Sequence, residues 1–338
     1  DPSRPWNRFS IKITDADKNR IFNYEGNWRD IFQNWEALCM SYPAYTKNII
    51  AKFLNAMTID GFNPYRISRE GVDWEILDPT DPWSNIGYWN DHQVIYLQKM
   101  LELQNQLEPE LLDKWLNTKL FSTSNIPYRL KSYQEMLKNP RSTVLFEKDL
   151  SSKMLAGSKT MGTDLKLWLT KADDVSKVEL SSMLTKIVQI ILAKLANFIP
   201  GGGIWMNTQR PEWNDANNAL AGYGLSMVTL YYLYRMISFL KKLIEASASE
   251  SFALPQETAV FLEEMFKLYK GTDPSTVQKW TDAAACKNRK AFVDIEGMLL
   301  QTQREALYAN GHSTTEEKLS KAELLEGFAV IMKHLEAT

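Results

Sequence analysis

The chain has 338 residues, a formal net charge of −2, and 24% charged residues. A chain of this length can bury a large core, and no Gly/Ser-rich or Pro-rich linker interrupts it, so we expect one domain over residues 1–338. The nearly balanced charge gives no support to a nucleic-acid groove or to an anionic-membrane surface. We therefore expect neither nucleic acid nor a membrane as a partner.

Cysteine and histidine are too sparse for a disulfide framework or a zinc signature. Cys39 and Cys286 are the two cysteines, and each lies in an apolar helical stretch, where cysteine is most often a small buried hydrophobe. The three histidines, His92, His312 and His334, are widely separated. We expect no metal and no organic cofactor.

Apolar residues recur with helical spacing along most of the chain, which predicts a mainly α fold. Strand signals are weak: residues 10–14 alternate briefly, and residues 63–77 predict a short hairpin. Residues 139–178 are polar and irregular, and predict an insertion. The predicted helices are 28–41, 44–59, 89–106, 108–119, 130–138, 179–198, 215–246, 256–270, 275–283, 292–309 and 317–336.

The segment from 201 to 218 is the part of the sequence most suggestive of chemistry, because loops between helices often carry catalytic groups. It contains two carboxylates, Glu212 and Asp215, and the tryptophans Trp205 and Trp213. Acids, flat aromatic faces and amides together are typical of a sugar site. The simpler alternative is that Asp215 caps a helix and Glu212 is solvated. The segment also contains the polar residues Asn207, Arg210, Asn214, Asn217 and Asn218.

Three short motifs place a tryptophan and an acid at a predicted helix start. They are Asn-Trp-Arg-Asp at 27–30, Tyr-Trp-Asn-Asp at 88–91 and Glu-Trp-Asn-Asp at 212–215. Helix capping by the acid or asparagine explains any one of them. Capping requires no tryptophan, however, and the repetition predicts several helix starts that open onto one rim.

Two of these motifs resemble those of a known family. Residues 26–34, Gly-Asn-Trp-Arg-Asp-Ile-Phe-Gln-Asn, resemble the Arg-Asp-x-x-Gln-Asp helix start of the cellobiose-phosphorylase-like enzymes. Residues 212–215 resemble their Asp-Trp-Asn-Asp motif, with Glu212 at the position of the first Asp, and Asn34 stands where the first motif ends in Asp. The resemblance implies an all-α fold, the (α/α)6 toroid of six helical hairpins around a funnel.

The resemblance also implies roles for individual residues. Asp215 would be the general acid that protonates the departing glycosidic oxygen, while Arg29, Asp30, Glu212 and Trp213 would hold the sugar beside the broken bond. The remaining substrate-binding residues that we predict are Trp28, Trp89, Trp205, Arg210 and Asn214.

An inverting hydrolase also needs a carboxylate that activates water, about 6.5–9.5 Å from the acid. Asp30 and Asp91 are the candidates. A phosphorylase would use inorganic phosphate as its co-substrate, held by groups such as Arg29, Arg210, His92 and the amides of residues 201–203.

We predict an inverting glycoside hydrolase that acts on oligosaccharides, because the phosphate-binding residues expected late in a phosphorylase have no counterpart in the C-terminal part. Two alternatives remain open. One is a cellobiose-phosphorylase-like glycoside phosphorylase. The other is a non-catalytic helical toroid that binds a glycan or a protein.

The beginning of the chain lacks a start methionine, a basic region and an apolar region, so it is interpreted as the interior of a longer protein. An incomplete toroid is then an alternative to a closed one, completed by further segments of the parent polypeptide or by a second copy. The apolar stretch 216–244 contains Arg235, Lys241 and Lys242, which favours a buried helix over a membrane span. The localisation stays open, with the cytoplasm favoured.

Overall fold

The computed structural model describes residues 14–21, 25–63, 66–68, 71–74, 80, 93–161, 166–172, 175–206 and 222–338. These residues are rich in helix, as the sequence predicts, and their strands are short. The helices among them are α1 (Trp28–Ser41), α2 (Thr46–Ala56), α3 (Gln98–Leu107), α4 (Pro109–Asn117), α5 (Tyr133–Lys138), α6 (Lys148–Met161), α7 (Met183–Leu195), α8 (Met227–Ala246), α9 (Gln256–Lys270), α10 (Ala283–Asn310) and α11 (Lys321–Glu336).

The strands form small sheets of two or three members each. All of the pairs are antiparallel. In chain order they are β1 (Glu25–Asn27), β2 (Arg66–Ser68), β3 (Gly71–Asp73), β4 (Phe121–Ser122), β5 (Tyr128–Leu130), β6 (Val144–Phe146), β7 (Leu169–Ala172), β8 (Val175–Val178), β9 (Leu180–Ser181), β10 (Phe198–Ile199), β11 (Gly203–Trp205), β12 (Leu225–Ser226), β13 (Ser251–Pro255) and β14 (Glu316–Ser320).

Helix α7 lies at the centre of the described structure. All thirteen of its residues are buried. It packs against α4, α8, α9 and α10. The Leu, Ile and Val side chains of its apolar stripe are buried against these helices, because exposing them to water would cost free energy. Some helices that are consecutive in the chain, such as α3 and α4, pack against each other. The described helices do not by themselves form a closed ring.

Several predicted helices begin too early, because a short strand and a serine cap precede the helix. The Ser182 side chain accepts the Thr185 N–H at the start of α7, and the Ser320 side chain accepts the Glu323 N–H at the start of α11. At α8, Ser226 does the same for Thr229, so residues 222–226, which we predicted as part of a helix over 215–246, precede the observed helix. The seven residues 215–221 lie outside the described part of the chain.

The predicted helix at 275–283 is wrong. Residues Pro274–Thr276 form only a short 3-10 turn, begun by the Asp273 side chain, which accepts the Ser275 N–H. The next helix begins at Ala283, where the Asp282 side chain accepts the N–H groups of Ala284 and Ala285, and runs for 28 residues. Helix α10 therefore contains the predicted 292–309 segment. An aspartate cap determines where the helix begins when the apolar periodicity allows more than one start.

The region 139–178 is more regular than its polarity predicts. It contains helix α6 and strands β6, β7 and β8. Strand β6 pairs with β5, and β7 pairs with β8 in a hairpin. Residues such as Val144 and Met154 join a second, smaller apolar cluster. The irregular interpretation is thus wrong for these residues, and the assignment of the region as an insertion stays a prediction.

The predicted hairpin within 63–77 is confirmed by β2 and β3, which pair with each other. Strand β1 extends them into a three-stranded sheet, with Asn27 opposite Arg66. The alternation at 10–14 falls outside the described residues except for Thr14, which forms an isolated bridge with Arg20.

Candidate functional site

Most of the predicted site lies outside the described residues. This applies to Trp89 and Asp91, and to Arg210, Glu212, Trp213, Asn214 and Asp215. Their roles stay predictions. The described structure does fix the chain on both sides of residues 207–221, and it fixes the backbone of Trp28, Arg29 and Asp30.

The two ends of the chain around 207–221 are held side by side. The N–H of Gly222 donates to the carbonyl of Met206 at 2.7 Å, and the N–H of Met206 donates to the carbonyl of Gly224 at 3.0 Å. Strands β11 and β12 pair directly next to these bonds, with Trp205 opposite Leu225. We call Trp205, Met206, Gly222 and Gly224 the stem.

Glycines make this arrangement possible. Gly222 has a φ of +83°, and a Cβ at this position would lie 2.3 Å from the carbonyl oxygen of Pro140. Gly201 has a φ of +74°, and its Cβ would lie 2.5 Å from the carbonyl oxygen of Gln278. Only glycine tolerates both the positive φ and the close approach. The glycine run is a turn between β10 and β11.

The amides of this glycine run are engaged within the protein. Gly201 N–H donates to Thr338 Oγ1 at 3.2 Å, and Gly202 N–H donates to the carbonyl of Ile199 at 2.9 Å. A phosphate contact by these two amides would require both bonds to break. The structure thus favours the interpretation of residues 201–203 as a turn.

Trp205 is half-buried, and its one hydrogen-bond donor is used inside the protein. The indole Nε1 donates to the carbonyl oxygen of Gly222 at 2.9 Å, and the backbone N–H donates to the carbonyl of Asn197 at 2.7 Å. The tryptophan side chain has no second donor. Any contact of Trp205 with a sugar must therefore use the face of the ring, which is how indoles commonly meet sugars and other flat apolar surfaces.

The first turn of α1, which contains Trp28, Arg29 and Asp30, lies toward the amino-terminal end of α7. Phe32 stacks on Phe53 of α2, with ring centroids 3.4 Å apart. The end of α2 is joined to β4 by the bond from Ser122 N–H to Asn55 Oδ1 at 2.9 Å. Strand β4 pairs with β9, which ends just before the cap of α7.

The stem lies at the other end of α7. The chain leaves α7 at Leu195, and the bond from Trp205 to Asn197 holds the stem next to this carboxyl-terminal end. A thirteen-residue helix is about 20 Å long. The two described parts of the predicted rim, α1 and the stem, therefore lie toward different ends of α7, which residue spacing alone does not reveal.

A buried polar cluster near the amino-terminal end of α7 was not predicted from the sequence. His312 Nδ1 contacts Glu179, and its Nε2 contacts Gln189. Lys186, fully buried, donates to Thr123 Oγ1 at 2.6 Å. One sequence signal was available, since Lys186 and Gln189 are three residues apart on a mainly apolar helix and so share a face.

Burial and charge act in opposite directions within this cluster. Burial lowers the pKa of Lys186 to about 7, and the Glu179 charge offsets part of that effect. Burial acts to raise the pKa of Glu179, but the hydrogen bonds and charge of His312 outweigh it and leave that pKa lowered. Because these groups are buried, their charges affect the free energy of unfolding rather than the binding of a substrate.

Comparisons with known proteins do not identify a family. A scan against models of protein families gave no match, and a search of curated proteins gave no significant match.

Among the described residues, no group of three or more His, Cys, Asp or Glu side chains is arranged to hold a metal ion. No described helix is both long and apolar enough to cross a membrane.

Proposed function

We propose that the protein is a carbohydrate-active enzyme that cleaves O-glycosidic bonds of oligosaccharides with inversion, as a glycoside hydrolase. The observation that carries the proposal is the stem: it anchors both ends of residues 207–221, the segment with the Glu-Trp-Asn-Asp motif, against the buried helix α7. Catalytic groups are commonly placed on segments that a rigid scaffold positions in this way.

In this proposal Asp215 is the general acid. A carboxyl group must be protonated at neutral pH to serve as an acid, and a second carboxylate nearby raises its pKa. Glu212, three residues before it in the sequence, is the group proposed for this effect. Trp205, in the stem before this segment, contributes the face of its indole to sugar binding.

The water-activating base is the open part of the mechanism. Fifteen residues separate Met206 from Gly222, so an extended arm of seven or eight residues spans at most about 25 Å. The first turn of α1 lies toward the other end of α7, a helix about 20 Å long. A shared site with Asp30 therefore requires an arm that reaches toward that end. Asp91 is the alternative base.

We also propose that the helices belong to an (α/α)6 toroid, in which an incomplete ring is completed by other segments of a longer polypeptide or by a second copy. Consecutive helices such as α3 and α4 pack directly on each other, and so do α9 and α10, which is how helical hairpins build such a ring. The toroid has a funnel at its centre, whereas the buried helix α7 fills the centre of the described structure, and this proposal must account for that difference.

The proposal is tested by incubating the protein with α- and β-linked disaccharides and short glucans, with and without inorganic phosphate. Free sugar without phosphate is the expected product. A sugar 1-phosphate that forms only with phosphate would identify a phosphorylase instead. Asp215→Asn should reduce turnover at least 100-fold, since general acid catalysis contributes roughly 10²–10⁴-fold.

Asp113→Asn is the matched control, because Asp113 is an exposed aspartate on α4. It should leave turnover unchanged. Equal turnover in the wild type and the Asp215 variant would remove Asp215 from the mechanism. Sugar binding without any product would favour the non-catalytic glycan-binding alternative.

A further inference from the structure

A small pocket lies beside the amino-terminal end of α7, away from the stem. Helix α2, strands β3 and β4, and the residues that follow α6 form its walls, and its volume is about 200 Å³. Ser122 in its wall pairs with Leu180, close to the cap of α7. The described residues that line it are Lys52, Asn55, Ala56, Gly71, Val72, Ser122, Lys166 and Leu167.

The polar side chains of this pocket are mainly hydrogen-bond donors. Lys52 and Lys166 bring two ammonium groups. The Asn55 side-chain oxygen accepts the Ser122 N–H at 2.9 Å, which turns the carbonyl toward the backbone and leaves the NH₂ group as the donor end. The Ser122 hydroxyl is a fourth polar group, and it donates to the Asn55 backbone carbonyl at 3.4 Å. No carboxylate is among the described residues that line the pocket.

The two lysines are held in place by their surroundings. Lys166 Nζ lies 5.1 Å from the centre of the Trp74 ring and donates to the carbonyl of Val72 at 3.3 Å, one bond of the three that an ammonium makes. Lys52 is half-buried on α2, and burial lowers its pKa. A partly desolvated ammonium gains more from an incoming anion than one in open water.

Size restricts the ligand. The pocket has a volume of about 200 Å³. Pockets for drug-sized ligands are larger, about 300–1,000 Å³. The pocket therefore suits a compact anion. Phosphate carries about −1.5 to −2 charges at neutral pH, and its oxygens accept bonds from ammonium and amide donors such as those of Lys166 and Asn55.

We propose that this pocket binds a phosphate group, either as inorganic phosphate or as the phosphate of a small phosphomonoester. The pocket lies toward the opposite end of α7 from the stem. The proposal does not rest on the glycosidase assignment, and binding measurements test it without any enzyme assay.

Isothermal titration with inorganic phosphate, and separately with glycerol 3-phosphate, at constant ionic strength tests this proposal. The wild type should bind at least one of them, and the tighter ligand identifies the source of the phosphate. Lys52→Gln and Lys166→Gln should each weaken binding at least tenfold. Lys166→Arg, which keeps the charge, should retain more affinity than Lys166→Gln.

Lys153→Gln is the matched control, since Lys153 is an exposed lysine on α6 outside the pocket. It should bind like the wild type. Circular dichroism of each variant establishes that it is folded before it is titrated. Equal binding by all variants, or no binding by the wild type, would overturn the proposal.

Discussion

The indole of Trp205 joins the two sides of the stem, because its Nε1 donates to the carbonyl oxygen of Gly222 at a distance of 2.9 Å. The residues involved stand before and after the segment that carries Asp215 in the sequence. This single side-chain bond acts together with the two backbone bonds of Met206. The pairing of the two chain ends beside this segment thus depends on an aromatic residue that the sequence pattern alone assigns to sugar binding.

Trp205→Phe should lower the free energy of unfolding by about 1 kcal/mol, because it removes one hydrogen bond and keeps an aromatic ring. If the glycosidase proposal holds, it should also reduce turnover. Trp280→Phe is the matched control: Trp280 Nε1 donates to the carbonyl of Gly201 at 2.8 Å, outside the stem. Urea unfolding should give similar losses for both variants. A loss of turnover in both variants alike would argue against a special role for the stem.

Gly222→Ala should destabilise the protein by roughly 1–3 kcal/mol, because the new methyl group would overlap the Pro140 carbonyl at a backbone conformation that alanine avoids. Gly71→Ala separates the two effects. Gly71 has a φ of +130°, but no atom of the described residues lies within 4 Å of its added Cβ. Thermal unfolding should therefore show the smaller loss for Gly71→Ala. Equal losses of stability in the two variants would mean that the Pro140 carbonyl moves away from the added methyl group without strain.

The buried Lys186 predicts a stability that rises with pH above 7. Its pKa is about 7 in the folded protein and 10.5 in the reference state, so between these values the unfolded chain binds more protons. The free energy of unfolding should increase from pH 7 to pH 10, with a slope of up to about 1.4 kcal/mol per pH unit. Below pH 7 both states are protonated, and this contribution is flat.

Urea unfolding at several pH values checks this prediction. Lys186→Met should reduce the slope between pH 7 and 10, whereas Lys153→Met, at an exposed position, should leave it as in the wild type. The exposed control is needed because other groups titrate in the same range. Identical slopes in all three proteins would mean that Lys186 is not buried with a lowered pKa.

The Glu179–His312 pair predicts a loss of stability in acid. The pKa of Glu179 is lowered from 4.5, so its contribution is present above that value and disappears as the pH falls through the lower, folded-state pKa. His312→Ala should destabilise the protein by about 3–5 kcal/mol at neutral pH, because it leaves a buried carboxylate without its partner. Glu179→Gln should reduce the acid dependence. An unchanged acid dependence in Glu179→Gln would assign the effect to other carboxylates.

The sequence predicts the helices from apolar periodicity, and most of their centres agree with the structure. The boundaries are less accurate where a serine or aspartate cap overrides the period, as Ser226 does before α8 and Asp282 does before α10. These capping residues are visible in the sequence. Before α8 the apolar pattern continues through the strand, so hydrophobic spacing alone begins the helix too early, whereas the helix predicted from residue 292 begins nine residues later than α10 does.

The site is harder to predict than the fold, for two reasons. The tryptophan-acid motifs predict one rim, but which helix starts share an end of the molecule depends on the direction of each helix, and the motif carries no information on this. The described starts near Trp28 and near the stem lie toward different ends of α7. The Lys186 cluster, in turn, depends on side chains brought from distant parts of the chain, such as His312 and Thr123.

The three-stranded sheet of β1, β2 and β3 gives the molecule a mechanical linkage. Its last strand, β3, supplies Gly71 and Val72 to the wall of the phosphate pocket, while its first strand runs directly into α1. Asn27, immediately before Trp28, is opposite Arg66, which is opposite Asp73. A shift of β3 is therefore transmitted across two sets of backbone hydrogen bonds, about 10 Å in all. A displacement of the backbone at the pocket can therefore displace the start of α1 through backbone hydrogen bonds alone.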